Sequence, residues 1–270
     1  MKSLNFLLLK LAPYNSDRRM ILRVLRETAQ SPGTLVQRLN PTNFSHWFKY
    51  RKHLFDCPVC GHAERPLYDF PNLALRRAHR IGVLRETLQC RNCFASLRER
   101  SLALALLKYL NGRWSLDLTS IADLAARGLD GLRILDTDNF SGISRLLRDC
   151  QGFMRCSYRP DHPWGHEFEP GYFNVDLQNI SFADESFDVI LTSDVMEHVR
   201  DCDTAHAEIF RALRPGGAYV FNVPFEEASA EGIRLVDTQT EKDVFLVPPQ
   251  LHGDPLTGGI LAYRDRKSVV

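Results

Sequence analysis

A chain of 270 residues with 44% hydrophobic content has enough apolar mass for one domain of about 150 residues plus a smaller unit, which excludes a disordered or fibrous polypeptide. Its 34 basic and 33 acidic side chains give a formal net charge of +1, so no global charge draws it toward nucleic acid or an anionic membrane. Seven cysteines, four of them in two Cys-x-x-Cys pairs, fit metal ligation better than a disulfide framework.

Residues 1–50 read as a basic helical arm. Leu4–Leu11 is mostly apolar, but it is too short to span a bilayer, is interrupted by Lys10 and lacks an Ala-x-Ala-like cleavage site. A packing or partner helix, no membrane span and a cytoplasmic location are therefore expected. Ser16–Gln30 opens on a Ser-Asp cap and carries Ile21, Val24 and Leu25 on one face. Asn40-Pro41 ends the arm, and Trp47, Phe48, Tyr50 and Phe55 lead into the cysteine region as a packing surface.

Residues 51–112 read as a metal-binding unit and its docking helix. Cys57-Pro-Val-Cys60 and Cys90-Arg-Asn-Cys93 each form a turn that can aim two thiolates at one cation, and four sulfurs complete the tetrahedral shell of structural zinc. Gly61 suits the tight knuckle after the first pair, whereas Phe94 makes the second turn look less regular. An iron–sulfur site and a redox-active pair are the alternatives. A closed four-sulfur shell has no open position for catalysis, so this unit should be held together by its ion rather than react through it. Leu97–Leu110 follows as an apolar helix.

Residues 113–264 read as an α/β domain. Leu132–Asp136 is a first strand and Ser141–Cys150 its helix, with Ile143, Leu146 and Leu147 inward. Phe153–Tyr158 and Tyr172–Asp176 are further strands, separated by the turn-rich loop Arg159–Gly171. Val189–Leu191 is a fourth. Ala205, Ile209, Ala212 and Leu213 then recur at helical spacing until Arg214-Pro-Gly-Gly stops the helix, and Ala218–Val223 forms a fifth strand. Strands that alternate with helices and are apolar on both faces call for a doubly wound, mostly parallel sheet with ligands at the strands' carboxyl ends.

The segment Ser186–Pro224 resembles the fourth-to-fifth-strand region of S-adenosylmethionine-dependent methyltransferases of the Rossmann-like class (type 11-like). Phe-Asp-Val, Glu-His-Val and Arg-x-Leu-x-Pro-Gly-Gly occur here in the same order. Several bacterial methyltransferases pair such a domain with a Cys-x-x-Cys unit, and the chain resembles that group from Cys57 to Tyr263. The resemblance implies S-adenosylmethionine as methyl donor and an in-line displacement, in which the enzyme chiefly aligns the reactants and excludes water.

Carried over by position, the resemblance implies that the loop after the first strand, Asp136–Gly142, approaches the cofactor through Asp138 and Gly142. The family is glycine-rich where Asp138 and Phe140 stand. The acidic residue expected to hold the ribose falls near Ser157, with Asp161 a substitute or a simple turn residue. Asp176 is placed beside the adenine amino group and Leu177 against the ring. Ser193 and Asp194 face cofactor and acceptor. Glu197 and His198 are candidate general bases for a hydroxyl acceptor, or else cap and pack the next helix. Leu246–Asp254 resembles an insertion of the same group, in which His252 and Asp254 would line the acceptor side or form a Gly-Asp-Pro turn.

A domain of this class has two further strands after the fifth, which do not follow here, so the sheet is expected to be C-terminally truncated and to end on an exposed edge. The tail Asp265–Val270 (DRKSVV) can be encoded by a common sequencing-adapter sequence and reads as an artefact of an incomplete reading frame. The methyl acceptor and the oligomeric state are not written in the sequence. The rival from another class is an inactive methyltransferase-like module that contacts nucleic acid or a partner protein through its zinc unit and Arg18, Arg19, Arg23, Arg26, Arg51 and Lys52. A nicotinamide-dependent oxidoreductase is disfavoured, because no Gly-x-Gly-x-x-Gly follows the first strand.

Overall fold

The structure, a computed structural model, describes residues 55–64, 66–68, 85, 88–90, 92–224, 234–239, 242–252 and 259–264. The helical arm, its basic residues, Asp254 and the tail 265–270 lie outside the described residues. These fall into two compact units. One holds the described residues up to Leu107 with Asp117–Asp123, and the other holds Lys108–Leu116 with the described residues from Leu124 onward.

In the first unit, β1 (Phe55–Asp56) pairs antiparallel with β2 (Ala63–Glu64), and β3 (Pro66–Tyr68) with β4 (Leu88–Cys90). Helix α1 (Leu97–Trp114) begins here on a capping box: the backbone N–H of Ser96 donates to the Glu99 carboxylate at 2.7 Å, and that of Glu99 donates to the Ser96 hydroxyl at 3.3 Å. Two orphan donors of the first turn are thereby satisfied. Helix α2 (Ile121–Arg127), unexpected from sequence, starts similarly, with the Ser120 hydroxyl accepting from the Asp123 N–H.

The second unit is built on a six-stranded sheet. Its strands are β5 (Ile134–Asp136), β6 (Phe153–Ser157), β7 (Glu167–Glu169), β8 (Tyr172–Asn174), β9 (Phe187–Ser193) and β10 (Leu213–Asn222), in spatial order β10-β9-β5-β6-β8-β7. All pairings are parallel except β7 with β8. The doubly wound, mostly parallel arrangement expected from the sequence is therefore present. Helix α3 (Gly142–Leu147) follows β5 and α4 (Cys202–Ala212) follows β9. Between β6 and β8 the predicted loop contains a strand instead: β7 forms an antiparallel edge, tied to β6 by an Arg155–Glu169 ion pair at 2.6 Å. Three charged or polar positions around Phe168 hide its strand character from a hydrophobicity pattern.

Strand β9 is buried at all but one position because it lies inside the sheet with both faces covered, which explains its continuous apolar run. Its core includes Leu135, Cys156, Phe187, Ile190 and Met196, with Ala205, Ile209 and Ala212 from α4. Helix α4 stops at Ala212, and Leu213 already pairs with Phe187, so the Pro-Gly-Gly stretch is a bulge within β10 rather than a free turn. A Cβ on Gly217 would lie 2.8 Å from the Arg214 carbonyl oxygen and 3.0 Å from that of Asp188, so only glycine fits the bulge. Among the described residues β10 is an edge of the sheet.

After β10, β11 (Val236–Asp237) pairs with β12 (Val244–Phe245), and β13 (Leu251–His252) with β14 (Ile260–Leu261), around a small cluster of Leu235, Val236 and Ala262. Among the described residues no helix is long and apolar enough to cross a membrane.

Candidate functional site

The carboxyl ends of the parallel strands carry most of the residues singled out by sequence. After β5, Asp136 is fully buried; its carboxylate accepts from the Asp138 N–H at 3.0 Å and the Ser144 hydroxyl at 2.9 Å. Burial, followed by the nearby Asp138 charge, pushes its pKa up to about 7. The Asp138 carboxylate in turn accepts from the Phe140 N–H, and the Ser141 hydroxyl caps α3. The loop is thus a pair of Asx turns, and none of residues 137–141 has a positive φ. The missing family glycines cost no backbone strain here. Asn139 donates to the Cys156 carbonyl, while its own Oδ1 and the Thr137 hydroxyl oxygen are buried without a hydrogen-bond partner. These two buried oxygens can accept from a ligand's ammonium or hydroxyl donors.

After β6, Ser157 is buried and accepts from the Tyr172 hydroxyl at 2.8 Å. The following loop is organised by the fully buried Asn174. Its Oδ1 accepts from the Arg159 N–H at 2.8 Å, and its Nδ2 donates to the carbonyls of Arg159, His162 and Pro163. Asp161 stands on this loop with its side chain exposed and His162 at 3.5 Å. After β8, the Asp176 carboxylate accepts from the Gln178 backbone and side chain, and Leu177 packs into the core. At the end of β9, the Ser193 hydroxyl donates to Asn222 Oδ1, and Asp194 adopts φ +54, a left-handed kink that ends the strand.

Met196–His198 forms a single 3-10 turn. The Glu197 side chain is 1% exposed and the His198 side chain 10%. The turn is held by the segment after β13: the Tyr263 N–H donates to the Glu197 carbonyl, His198 Nδ1 lies 2.8 Å from the Leu261 carbonyl oxygen, and Arg264 donates to the carbonyls of Val199 and Arg200. His252, across the β13–β14 hairpin from Ile260, stacks edge-on against His198 with centroids 4.9 Å apart. Glu197, His198 and His252 each offer a ligand atom within 4.8 Å of the others.

In the first unit, the sulfurs of Cys57, Cys60, Cys90 and Cys93 also converge within 4.8 Å, with Cys57–Cys93 and Cys60–Cys90 both 3.8 Å apart. Metal–sulfur bonds of about 2.3 Å place the sulfurs of a tetrahedral shell about 3.8 Å apart, so the donor set fits one cation. Both knuckles close alike. Gly61 donates to the Cys57 carbonyl with φ +75, and Phe94 donates to the Cys90 carbonyl with φ +63, which corrects the expectation that the second is less regular. Arg100 is 6% exposed, 4.0 Å over the Phe55 ring; burial pulls its pKa down, and negative charge on the sulfurs of Cys57, Cys90 and Cys93 pushes it back up.

Sequence reasoning did not single out Asp136, Thr137, Asn139 or Asn174. The available signal was an acid closing an apolar strand, since a carboxylate at such a place is costly unless something holds it.

Residues 159–221, from the loop after β6 through β10, match the family described as "Methyltransferase domain". The sheet order above is that of a Rossmann-like domain, and this stretch of it is similar to a methyltransferase domain. It is similar to the ubiquinone biosynthesis O-methyltransferases of Mesorhizobium japonicum (28% identity over 163 residues, 54% of this chain and 66% of the relative) and Sinorhizobium medicae (29% over 159 residues, 52% and 64%). It thus spans just under two thirds of the length of these curated relatives. A solved S-adenosylmethionine-dependent methyltransferase from Mesorhizobium loti aligns with a TM-score of 0.30 and 21% identity, covering 50% of this chain and 68% of the other.

Proposed function

We propose that the chain methylates a hydroxyl oxygen of its acceptor with S-adenosylmethionine, and that Cys57, Cys60, Cys90 and Cys93 hold a structural zinc ion. The observation that carries the methyltransferase reading is the parallel order β8-β6-β5-β9-β10, which gathers Asp138 and Asn139, Asp161, Asp176, Ser193 and Asp194 at one edge of the sheet. Oxygen as the accepting atom is supported by the curated relatives' names.

Bound S-adenosylmethionine supplies an electrophilic sulfonium methyl group. Thr137 and Asn139 offer it acceptors, with Asp138 and Gly142 along the same loop, and Asp161 takes the ribose side. Asp176 and Leu177 frame the adenine, and Ser193 and Asp194 lie between cofactor and acceptor. Glu197 and His198 handle the acceptor hydroxyl, whose proton must leave as the new C–O bond forms. In the first unit, buried Arg100 offsets the negative charge of a zinc–thiolate shell.

Calorimetric titration with S-adenosylhomocysteine tests this reading. Binding by the wild-type chain and at least tenfold weaker binding by Asp176→Ala are expected. A folded wild-type chain that binds neither this compound nor S-adenosylmethionine overturns it.

A further inference from the structure

We infer that Glu197, His198 and His252 form a binding site for a divalent first-row transition cation, separate from the four-cysteine cluster. A backbone carbonyl can only accept, so the 2.8 Å contact with Leu261 requires His198 Nδ1 to carry the proton. Nε2 is then the ring's unprotonated nitrogen, 3.9 Å from Glu197 Oε1. That separation is too long for a hydrogen bond and typical of two ligands sharing one ion: donors about 2.0–2.2 Å from a cation lie roughly 3–4 Å apart. An imidazole fixed through its other nitrogen by a carbonyl is the usual orientation of a metal-bound histidine.

The surrounding backbone builds this geometry in advance. Hydrogen bonds from Tyr263 and Arg264 clamp the 3-10 turn, and the β13–β14 register sets His252 beside His198. The carboxylate of Glu197, held almost wholly out of water, gains from a cation what it loses in hydration.

One carboxylate and two imidazoles suit manganese, iron or zinc rather than calcium, and three protein ligands leave positions open, the pattern of a reactive rather than a structural site. An acceptor hydroxyl bound there would lose its proton to water more readily, leaving the oxygen poised for methylation. This last role rests on the proposed methyl transfer to oxygen; cation binding does not.

Manganese distinguishes the two metal sites, because thiolates are poor ligands for it. Full-length chain carrying a single equivalent of zinc, which the four thiolates take first, is titrated with Mn2+, and the loss of the free-ion electron paramagnetic resonance signal is followed. One bound Mn2+ per chain in wild type and in Cys60→Ser, and at least tenfold weaker binding in His252→Ala and Glu197→Gln, are expected. No Mn2+ binding by wild type, or binding unchanged in His252→Ala, overturns the inference. S-adenosylhomocysteine titrated into the same samples reports on the cofactor site separately and checks that His252→Ala is folded.

Discussion

Asp188 and Arg214 meet at 2.7 Å across the amino-terminal ends of β9 and β10, and the same Asp188 oxygen accepts the backbone N–H of Arg133 ahead of β5 at 2.8 Å. One carboxylate therefore fastens three adjacent strands at the edge opposite their carboxyl ends. Removing it in Asp188→Ala leaves a partly buried N–H and a guanidinium without its carboxylate, and should cost about 2–3 kcal/mol in chemical denaturation. Arg214→Ala, which keeps the Arg133 bond, should cost less than about 1 kcal/mol.

Phe94 holds a left-handed backbone that a side chain disfavours by about 1–2 kcal/mol. Phe94→Gly should relieve it and stabilise the metal-loaded chain by about 1 kcal/mol. Gly61→Ala should do the reverse, since its φ is +75 and an added Cβ would meet the Ser120 hydroxyl oxygen at 3.0 Å. Paired thermal melts of the two variants check both signs.

If the cysteine cluster holds zinc, purified chain should contain about one zinc ion, and Cys60→Ser should lose most of it. Chelation should raise hydrogen exchange at β4 and at the start of α1, because the four sulfurs tie β4 and the turn before α1 to the Cys57–Cys60 knuckle. Metal analysis and exchange measured on the same sample decide this.

Burial in the fold pushes the Asp136 carboxyl up to about 7 from its ordinary value of 3.8. The native state therefore holds this proton more tightly, so the stability it contributes is fully present below about pH 4 and is lost as pH rises through about 7. Asp136→Asn has no such proton to lose. Its stability relative to wild type should rise between pH 5 and pH 8, read as the difference between two urea denaturation series.

The parallel strands were legible because burial on both faces leaves uninterrupted apolar runs such as Val189–Leu191, and the cysteine pairs because thiol spacing is itself a signal. Strand β7 was hidden because Glu167 and Glu169 flank a single apolar Phe168, with its pairing supplied by β8. Within the site, Asp176 and Glu197 stood out by position in a familiar order. Asn139 and Asn174 did not, since an asparagine's worth lies in which carbonyls surround it, and that is set by tertiary structure. The partnership of His198 with His252 likewise depends on the register of β13 with β14, which no local pattern encodes.

The loop after β6 hangs on one amide: Asn174 has two N–H hydrogens to share among three carbonyls and accepts a fourth bond besides. Such a segment acts as a fixed wall, since opening it means breaking all of these bonds together in a buried place. Ligand entry and adaptation to different acceptors then fall to other segments. Sequence change in this loop is constrained at the backbone, by length, while exposed side chains that touch no ligand stay open to substitution.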